Sequence, residues 1–398
     1  MKILVINGGC LRVNSSANLC HISYVKGLVE NEHNITILST SEKGQIIDES
    51  IILPQGPRYL FYERSILYNF MKPKQWSNIQ REIQNNKKSI KVSIITIIKK
   101  ILSFVYGPFG YNGVWVENVL KKYSINDYYD IVISISSPVY SHLAAIKLIE
   151  KGKIKCNKFI EIWEDPWQLD LYNKGIDTKL LAIEHELVCR ADRVFYVSPI
   201  TAKYQAEMFN DCKDKIDWVP LPYYYKDDTL FESDINYYGY FGDYFPVSRN
   251  LRPFYEAAKS LKIFVDICGA PNTLFDSTER IKIFPRMQLS ELKKHENKTN
   301  VLVFLCNLRG GQIPGKIYQY SATLKKILFI LDGTDDEIKT IYAMFKKYDR
   351  YYFCRNTVSD IERAIREIEG STNCRIKNQI IEDFSPANII KQIINKTM

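Results

Sequence analysis

The sequence is poor in histidine and has no closely paired cysteines. It contains five histidines and nine cysteines in 398 residues. The cysteines form no C-x-x-C pair and the histidines lack metal-ligand spacing, so the sequence predicts no metal site. Because the cysteines are scattered and their number is odd, we expect a reducing compartment, with most of them acting as small apolar side chains.

Long apolar runs and internal repeats are also missing. No uninterrupted apolar run approaches the roughly 20 residues that span a bilayer. The apolar run in the opening segment MKILVINGGC is too short for a signal peptide. The absence of a repeat of about 20–50 residues argues against a solenoid. These absences favour a globular cytoplasmic protein.

The length and net charge of the chain indicate the number of domains and the kind of partner. A chain of 398 residues with 46% hydrophobic content predicts two domains with sizeable cores. The net charge of +9 favours acidic partners such as phosphates or anionic lipid headgroups. Without a zinc-knuckle spacing or a basic tail, nothing in the sequence singles out nucleic acid.

Strand and helix patterns alternate along most of the chain. Residues 3–6 form a buried-type strand that ends in the turn Gly8-Gly9, followed by a helix and a second strand at 35–38. A second sheet is predicted from residue 237 onward, after a linker near Pro220-Leu221-Pro222. The pattern predicts an α/β protein with two Rossmann-like domains.

A lysine-rich insert at about residues 70–110 interrupts this alternation. Within it, KVSIITIIKKILSFV has helical periodicity, with isoleucines on one face and Lys99 and Lys100 opposite. A basic amphipathic helix of this kind can lie on an anionic membrane surface. The alternative is a helix that packs on its own domain and leaves its lysines in water.

The segment GGQIPGKIYQYSATLKKILFIL combines a glycine-rich loop, a predicted helix at 316–323 and an apolar strand at 327–331. Ligands of open α/β sheets bind where such a loop leads into a helix. The unpaired N–H groups of the first helical turn and the charge of Lys316 predict a site for a phosphate-bearing ligand. The alternative is an ordinary glycine-rich turn before a surface helix.

PGKIYQYSATLKKILFIL also resembles the donor-binding segment of the glycosyltransferase 4-like family. The resemblance implies a GT-B architecture with two Rossmann-like domains facing across a cleft. It implies an acceptor domain at residues 1–222, a nucleotide-sugar donor domain at 223–384, and a terminal helix at 385–398 that crosses back to the first domain.

Three cations of the second half follow predicted strands and are expected at one sheet edge: Arg249, Arg286 and Lys316. Arg249 matches the family's diphosphate-binding position in YGYFGDYFPVSRNLRPFYEA, with Arg252 as the alternative. Arg286 matches a position in IKIFPRMQLSEL, although Pro285 replaces the family's glycine. Each arginine could equally form a surface salt bridge.

Two segments of the first half carry further matches. The segment SSPVYSH resembles a family element that faces the donor sugar, and the resemblance assigns this role to His142. The segment FIEIWEDPW resembles a family element at the interdomain cleft, and the resemblance places Asp165 there. The resemblance implies that Asp165 binds acceptor hydroxyls or stabilises positive charge on the sugar ring, and that the backbone at Gly8 and Gly9 approaches the donor. The alternatives are a structural histidine and a turn capped by Asp165.

The paired glutamates of many family members are absent. Their positions are matched by Gly311 and Gln319, so the resemblance assigns ribose binding to Gln319 and backbone donors near the sugar to Gly310 and Gly311.

Together these features predict a retaining, metal-independent and cofactor-free glycosyltransferase of the hexosyl or N-acetylhexosaminyl type. Its expected donor is a nucleotide sugar, and its acceptor is a glycan or a polyprenyl-diphosphate-linked glycan of bacterial surface polysaccharide or glycolipid assembly. It would be cytoplasmic, with peripheral attachment to the inner face of the cell membrane as one option. The alternatives are a non-catalytic sugar-nucleotide-binding subunit and a phosphosugar epimerase of the same architecture.

Overall fold

The computed structural model describes residues 1–64, 101, 104–124, 126–171, 173, 175–229, 235–309, 311–370 and 378–398. Most of the predicted basic helix, together with Gly310, lies outside the described residues.

The first half forms a seven-stranded parallel sheet in the order β3-β2-β1-β4-β5-β6-β7. Its strands are β1 (Lys2–Asn7), β2 (Asn34–Thr40), β3 (Arg58–Tyr62), β4 (Asp127–Ser136), β5 (Ile154–Trp163), β6 (Arg193–Tyr196) and β7 (Ile216–Trp218). Its helices are α1 (Ser16–Glu30), α2 (Gly110–Lys122), α3 (Tyr140–Glu150), α4 (Thr178–Arg190) and α5 (Pro199–Met208). The central strands are buried on both faces, as their continuous apolar runs require.

The second half forms a six-stranded parallel sheet in the order β10-β9-β8-β11-β12-β13. Its strands are β8 (Tyr237–Phe241), β9 (Phe264–Cys268), β10 (Ile281–Phe284), β11 (Val301–Leu305), β12 (Lys326–Leu331) and β13 (Tyr352–Arg355). Its helices are α6 (Arg252–Leu261), α7 (Leu289–Lys298), α8 (Lys316–Tyr320), α9 (Asp335–Lys346) and α10 (Val358–Gly370).

Both sheets therefore contain the Rossmann strand order, in which the direction of winding reverses next to the first strand. The reversal lies between β1 and β4 in the first sheet and between β8 and β11 in the second. The carboxyl ends of those strands bound a crevice at each point. Ligands of open α/β sheets bind in such crevices.

The final helix α11 (Pro386–Thr397) packs on the first domain. Asn31 at the end of α1 donates a hydrogen bond from Nδ2 to the carbonyl of Ala387 over 3.0 Å, and Lys396 Nζ reaches Asp217 Oδ1 over 2.9 Å. A Cβ at Gly27 would lie 2.1 Å from the carbonyl oxygen of Pro386, so the close contact of the two helices requires glycine there. The last helix thus ties the two halves together.

The interdomain segment is held by the second domain. Tyr223 N donates to the carbonyl of Phe384 over 3.1 Å, and Asp227 N donates to that of Ala322 over 2.9 Å. One continuous cluster of buried apolar side chains contains residues of both domains.

The structure refines two sequence predictions. It joins Cys189 and Cys212 in a disulfide, an exception to the expectation that most cysteines act as small apolar side chains. The helix predicted at 316–323 is only the five residues of α8. Because so short a helix sums few peptide dipoles, we drop the prediction that its N-terminus forms an anion site.

Among the described residues, no helix is both long enough and apolar enough to cross a membrane.

Candidate functional site

Arg249 lies at the crevice of the second sheet. Its Nε donates to Asn307 Oδ1 over 2.8 Å, and its Nη1 donates to the carbonyl of Asp243 over 3.0 Å. Asp243 follows β8 and Asn307 follows β11, so the guanidinium bridges the two strands at which the sheet reverses. These two hydrogen bonds fix the orientation of the guanidinium group and leave further N–H donors for an anionic ligand.

Arg286 and Lys316 lie at the same edge of the second sheet. Arg286 follows β10, is half exposed and stands 3.8 Å from a carboxylate oxygen of Asp243. Lys316 Nζ lies 3.7 Å from Glu296 Oε1. Burial raises the pKa of Cys268, the last residue of β9, to about 12, and the nearby charge of Lys316 acts in the opposite direction. The structure therefore brings the three predicted cations to one sheet edge, each beside a carboxylate or a carbonyl oxygen.

Asp165 stands opposite, on the loop that follows β5. Gln312 of the second domain donates a hydrogen bond from Nε2 to Asp165 Oδ1 and accepts one from Leu171 N at Oε1 over 2.8 Å. Although Asp165 is exposed, partial loss of hydration together with the charges of Asp170 and Glu164 raises its pKa to about 6. The positive charge of Arg249 acts in the opposite direction. Asp165 and Arg249 are thus within electrostatic reach of each other.

Gly311, in the segment between β11 and α8, contacts the first domain. Ser198, the N-cap of α5, donates from Oγ to the carbonyl of Gly311 over 2.6 Å. Gly311 has a φ of 66°, and a Cβ there would lie 2.3 Å from Ile200 Cγ2. Glycine is required at this position by both its backbone conformation and the contact between the domains.

Gln319 is fully engaged within the protein. Its Oε1 accepts from Tyr224 N over 2.8 Å and from Tyr225 N over 3.2 Å, and its Nε2 donates to the carbonyl of Tyr225 over 2.7 Å. These bonds tie the interdomain segment to α8. Gln319 therefore holds the interdomain segment against α8. To bind a ribose hydroxyl, its side chain would have to give up these hydrogen bonds.

The backbone donors at Gly8 and Gly9 also have protein partners. Gly8 N donates to Ser141 Oγ and Gly9 N donates to Asn7 Oδ1, each over 2.9 Å. A Cβ on Gly8 would lie 2.3 Å from Tyr140 Cε2, so the tyrosine ring fills the crevice of the first sheet. The sequence does not reveal this because Tyr140 lies on a different βα unit from Gly8.

His142 lies in the core of the first domain with no exposed surface. Its Nδ1 is 2.7 Å from Ser134 Oγ, its ring stacks on Trp163, and burial lowers its pKa to about 3, so the ring is neutral. The structure places this side chain behind the wall of the cleft, where it supports β4 and β5, and not on the cleft surface.

Three buried side chains that the sequence analysis did not select lie near His142. His21 Nε2 is 3.3 Å from Glu164 Oε1, and Glu161 Oε1 is 3.9 Å from His142 Nδ1. Burial raises the pKa of Glu161 well above its usual value and also raises that of Glu164. The strand segment FIEIW contained part of the signal, since a strand buried on both faces rarely carries a glutamate.

In the part of the chain that the structure describes, the one cluster with metal-ligand geometry lies away from this cleft, at His185, Cys189, Asp211 and Cys212.

The two parallel sheets, their strand orders and their facing crevices define the GT-B fold. The chain is similar over its whole length to a glycosyltransferase from Rickettsia africae, with 13% identity, 97% of that chain covered and a TM-score of 0.54. It is similar over 99% of its length to UGT89C1 of Arabidopsis thaliana, solved with UDP-L-rhamnose, with 10% identity, 98% of that chain covered and a TM-score of 0.52. It also matches Alr3699/HepE of Anabaena, solved with UDP and glucose, with 10% identity over 100% of this chain and 95% of that chain and a TM-score of 0.50.

No protein-family model matches the sequence, and no curated protein matches it. At these identities the structural likeness establishes the fold.

Proposed function

We propose that this protein is a glycosyltransferase that moves a sugar from a nucleoside diphosphate sugar to an acceptor hydroxyl in the cleft between its domains. The observation that carries the proposal is the position of Arg249, whose guanidinium is fixed at the strand reversal of the second sheet and faces Asp165 across the cleft. The solved structures of similar fold that contain UDP with glucose or UDP-L-rhamnose support this choice of donor.

The second domain would neutralise the diphosphate. The guanidinium group of Arg249 can donate two parallel hydrogen bonds to two phosphate oxygens. Arg286 and Lys316 add positive charge at the same edge of the sheet. On ligand binding, the ion pair of Lys316 with Glu296 would be replaced by an ion pair with phosphate. Neutralising the leaving group lowers the barrier to breaking the bond between sugar and phosphate without the help of a metal.

Asp165 would act at the sugar carbon or the acceptor. As a carboxylate it can accept a hydrogen bond from the acceptor hydroxyl and stabilise the positive charge that develops on the sugar ring. We propose retention of the anomeric configuration, with a diphosphate oxygen taking the acceptor proton, on the basis of the sequence resemblance. A carboxylate whose pKa is raised toward neutrality could instead act as a general base for inversion, and the anomeric configuration of the product by NMR separates the two.

The acceptor we propose is a glycan or polyprenyl-diphosphate-linked glycan at an anionic membrane surface, with a hexosyl or N-acetylhexosaminyl group transferred. The exposed apolar side chains of Ile101, Phe104 and Val105 support a membrane-facing segment next to the first domain. Changing Lys99 and Lys100 to glutamate should release the protein from vesicles containing anionic lipid, and unchanged sedimentation with the vesicles would remove the membrane from the proposal.

Turnover tests the reaction. The full-length protein is incubated with a panel of nucleotide sugars, with and without a glycan acceptor, and released nucleoside diphosphate is measured. We expect release that depends on acceptor and is lost in Asp165→Asn.

A second candidate is a subunit that binds a sugar nucleotide without turning it over. It is favoured by the engagement of Gln319 and of the Gly8 and Gly9 N–H groups within the protein. Tight nucleotide binding without acceptor-dependent release would select it.

A further inference from the structure

A compact group of side chains lies at the opposite edge of the first sheet from the cleft. His185 and Cys189 are four residues apart on α4, so they project from the same face of the helix. Asp211 and Cys212 follow α5, just before β7. Since α4 ends immediately before β6 begins, the group lies at the amino-terminal edge of the sheet, away from the proposed reaction.

The four ligand atoms lie within 4.8 Å of one another. His185 Nε2 is 2.8 Å from Asp211 Oδ1, Cys212 Sγ is 3.8 Å from Asp211 Oδ1, and Cys189 Sγ is 4.0 Å from Asp211 Oδ2. In a tetrahedral site with Zn–S bonds of about 2.3 Å, two sulfurs stand roughly 3.8 Å apart. The two sulfurs, bonded to each other in this structure, would have to separate, and His185 Nε2 and Asp211 Oδ1, now at hydrogen-bond distance, would have to move slightly apart.

We propose that, once its cysteines are reduced, this group binds one zinc ion through His185 Nε2, Cys189 Sγ, Asp211 and Cys212 Sγ. Thiolate, imidazole and carboxylate groups are all ligands that zinc takes in proteins, and four of them can complete a tetrahedral site. The site would join the end of α4 to the segment between α5 and β7, and thereby hold the edge strands β6 and β7 in place.

The surroundings favour such a site. Two thiolates, one carboxylate and Zn²⁺ sum to a charge of −1, and Lys215 places its ammonium beside the group by donating from Nζ to the carbonyl of Cys189 over 2.6 Å. Cys212 is buried, while Asp211 is exposed, which leaves an entry path for the ion.

Disulfide and metal are alternative states of the same two sulfurs. A dithiol reductant cleaves the S–S bond by thiol–disulfide exchange, which gives two protein thiols and the disulfide of the reductant. Zinc binding then releases two thiol protons.

The test uses the full-length protein under anaerobic conditions, reduced with dithiothreitol that is then removed, and titrated with Co²⁺ and Zn²⁺. We expect one ion per chain, a thiolate-to-cobalt charge-transfer band and the visible absorption of tetrahedral Co²⁺, which zinc abolishes. Cys189→Ser and Cys212→Ser should lose these bands. His185→Ala should weaken binding by more than the roughly 10- to 100-fold that loss of a ligand's hydrogen-bond partner costs. Cys156→Ser, which removes a free and half-buried cysteine elsewhere in the domain, should leave the bands unchanged.

The oxidised protein provides a second test that needs no variant. The disulfide form should bind no cobalt at this site, and reduction should restore one equivalent. Failure of the reduced protein to bind cobalt would show that the pair forms a disulfide only and would overturn the proposal. Full binding by Cys189→Ser or by the oxidised protein would overturn it as well.

Discussion

At the crevice of the first sheet, the ring of Tyr140 fills the space beside Gly8. At the crevice of the second sheet, a Cβ at the corresponding Gly242 would have room, since its nearest atoms would be Tyr240 Oη at 3.8 Å and Arg249 Nη1 at 3.9 Å, in ordinary van der Waals contact. The same strand order therefore builds two different surfaces. In the first crevice the Tyr140 ring occupies the space beside Gly8 and accepts a hydrogen bond from Arg64 Nη2 over 2.8 Å, whereas in the second a methyl group would fit beside Arg249. The comparison favours the second domain as the site of the proposed anion.

The polar groups of the two domains differ in the same way. The first domain has buried Glu161, Glu164 and His142, and desolvation raises the pKa of both acids and lowers that of the histidine, so each is shifted toward its neutral form. The second domain keeps Arg249, Arg286 and Lys316 at least partly exposed. Asp165 is a first-domain carboxylate on which the charge of Arg249 acts.

The largest effect is expected for Asp165→Asn, which removes the negative charge that faces the cations. If the carboxylate stabilises the transition state, kcat should fall about 100-fold or more while nucleotide affinity stays unchanged. Because the carboxylate is the active form and its pKa is raised to about 6, wild-type kcat should rise with pH through that value. The rise should be absent in the variant. Steady-state kinetics against pH provide the measurement, and an unchanged kcat would remove Asp165 from the chemistry.

Arg249→Ala should weaken binding of a nucleoside diphosphate by about 10- to 100-fold, the equivalent of losing hydrogen bonds from a charged donor. Arg286→Ala is the matched control at the same sheet edge. Since Arg286 is 53% exposed and its ion pair is long, its loss should change affinity by about fivefold or less. Isothermal titration calorimetry measures both, and equal effects would contradict the central place given to Arg249.

Alanine substitutions at the two crevice glycines, Gly8 and Gly242, should separate an effect on stability from an effect on nucleotide binding. Gly8→Ala should destabilise the protein by about 1–3 kcal/mol, because the new methyl group collides with Tyr140. Gly242→Ala should leave stability unchanged and reduce nucleotide affinity about tenfold, since its methyl group enters the open space beside Arg249. Urea unfolding and calorimetry measure the two effects. The reverse pattern would show that the first crevice is the open one.

Of these variants, Glu161→Gln should have the smallest effect on turnover, and it should leave nucleotide affinity unchanged. Because burial raises the pKa of Glu161 well above its usual value of 4.5, the folded protein holds this proton to higher pH than the unfolded chain does. Stability of the wild type should therefore fall as pH rises above that value, and the variant should fall less. Urea unfolding between about pH 5 and about pH 8 measures the two slopes. Parallel slopes would mean that Glu161 is ionised in the fold.

The regular part of the fold was predictable from local sequence. The two-domain α/β architecture followed from strands such as β1 and β11, whose continuous apolar runs identify strands buried on both faces. The placement of Arg249 and Arg286 at one edge followed from their positions after strands.

Contacts between distant segments were not predictable. Gln319 and the N–H group of Gly8 carry no sign in the sequence that Tyr224 and Ser141 bond to them. The pairing of Cys189 with Cys212 joins residues 23 apart, which no short cysteine spacing indicates, whereas His185 and Cys189 share a helix face with i, i+4 spacing.

A crystal structure of the protein with a nucleoside diphosphate tests the central claim most directly. We predict that the diphosphate lies in the crevice between β8 and β11, with phosphate oxygens within hydrogen-bond distance of Arg249. A diphosphate bound at the crevice between β1 and β4, or bound with the Arg249 guanidinium turned away from it, would contradict the account.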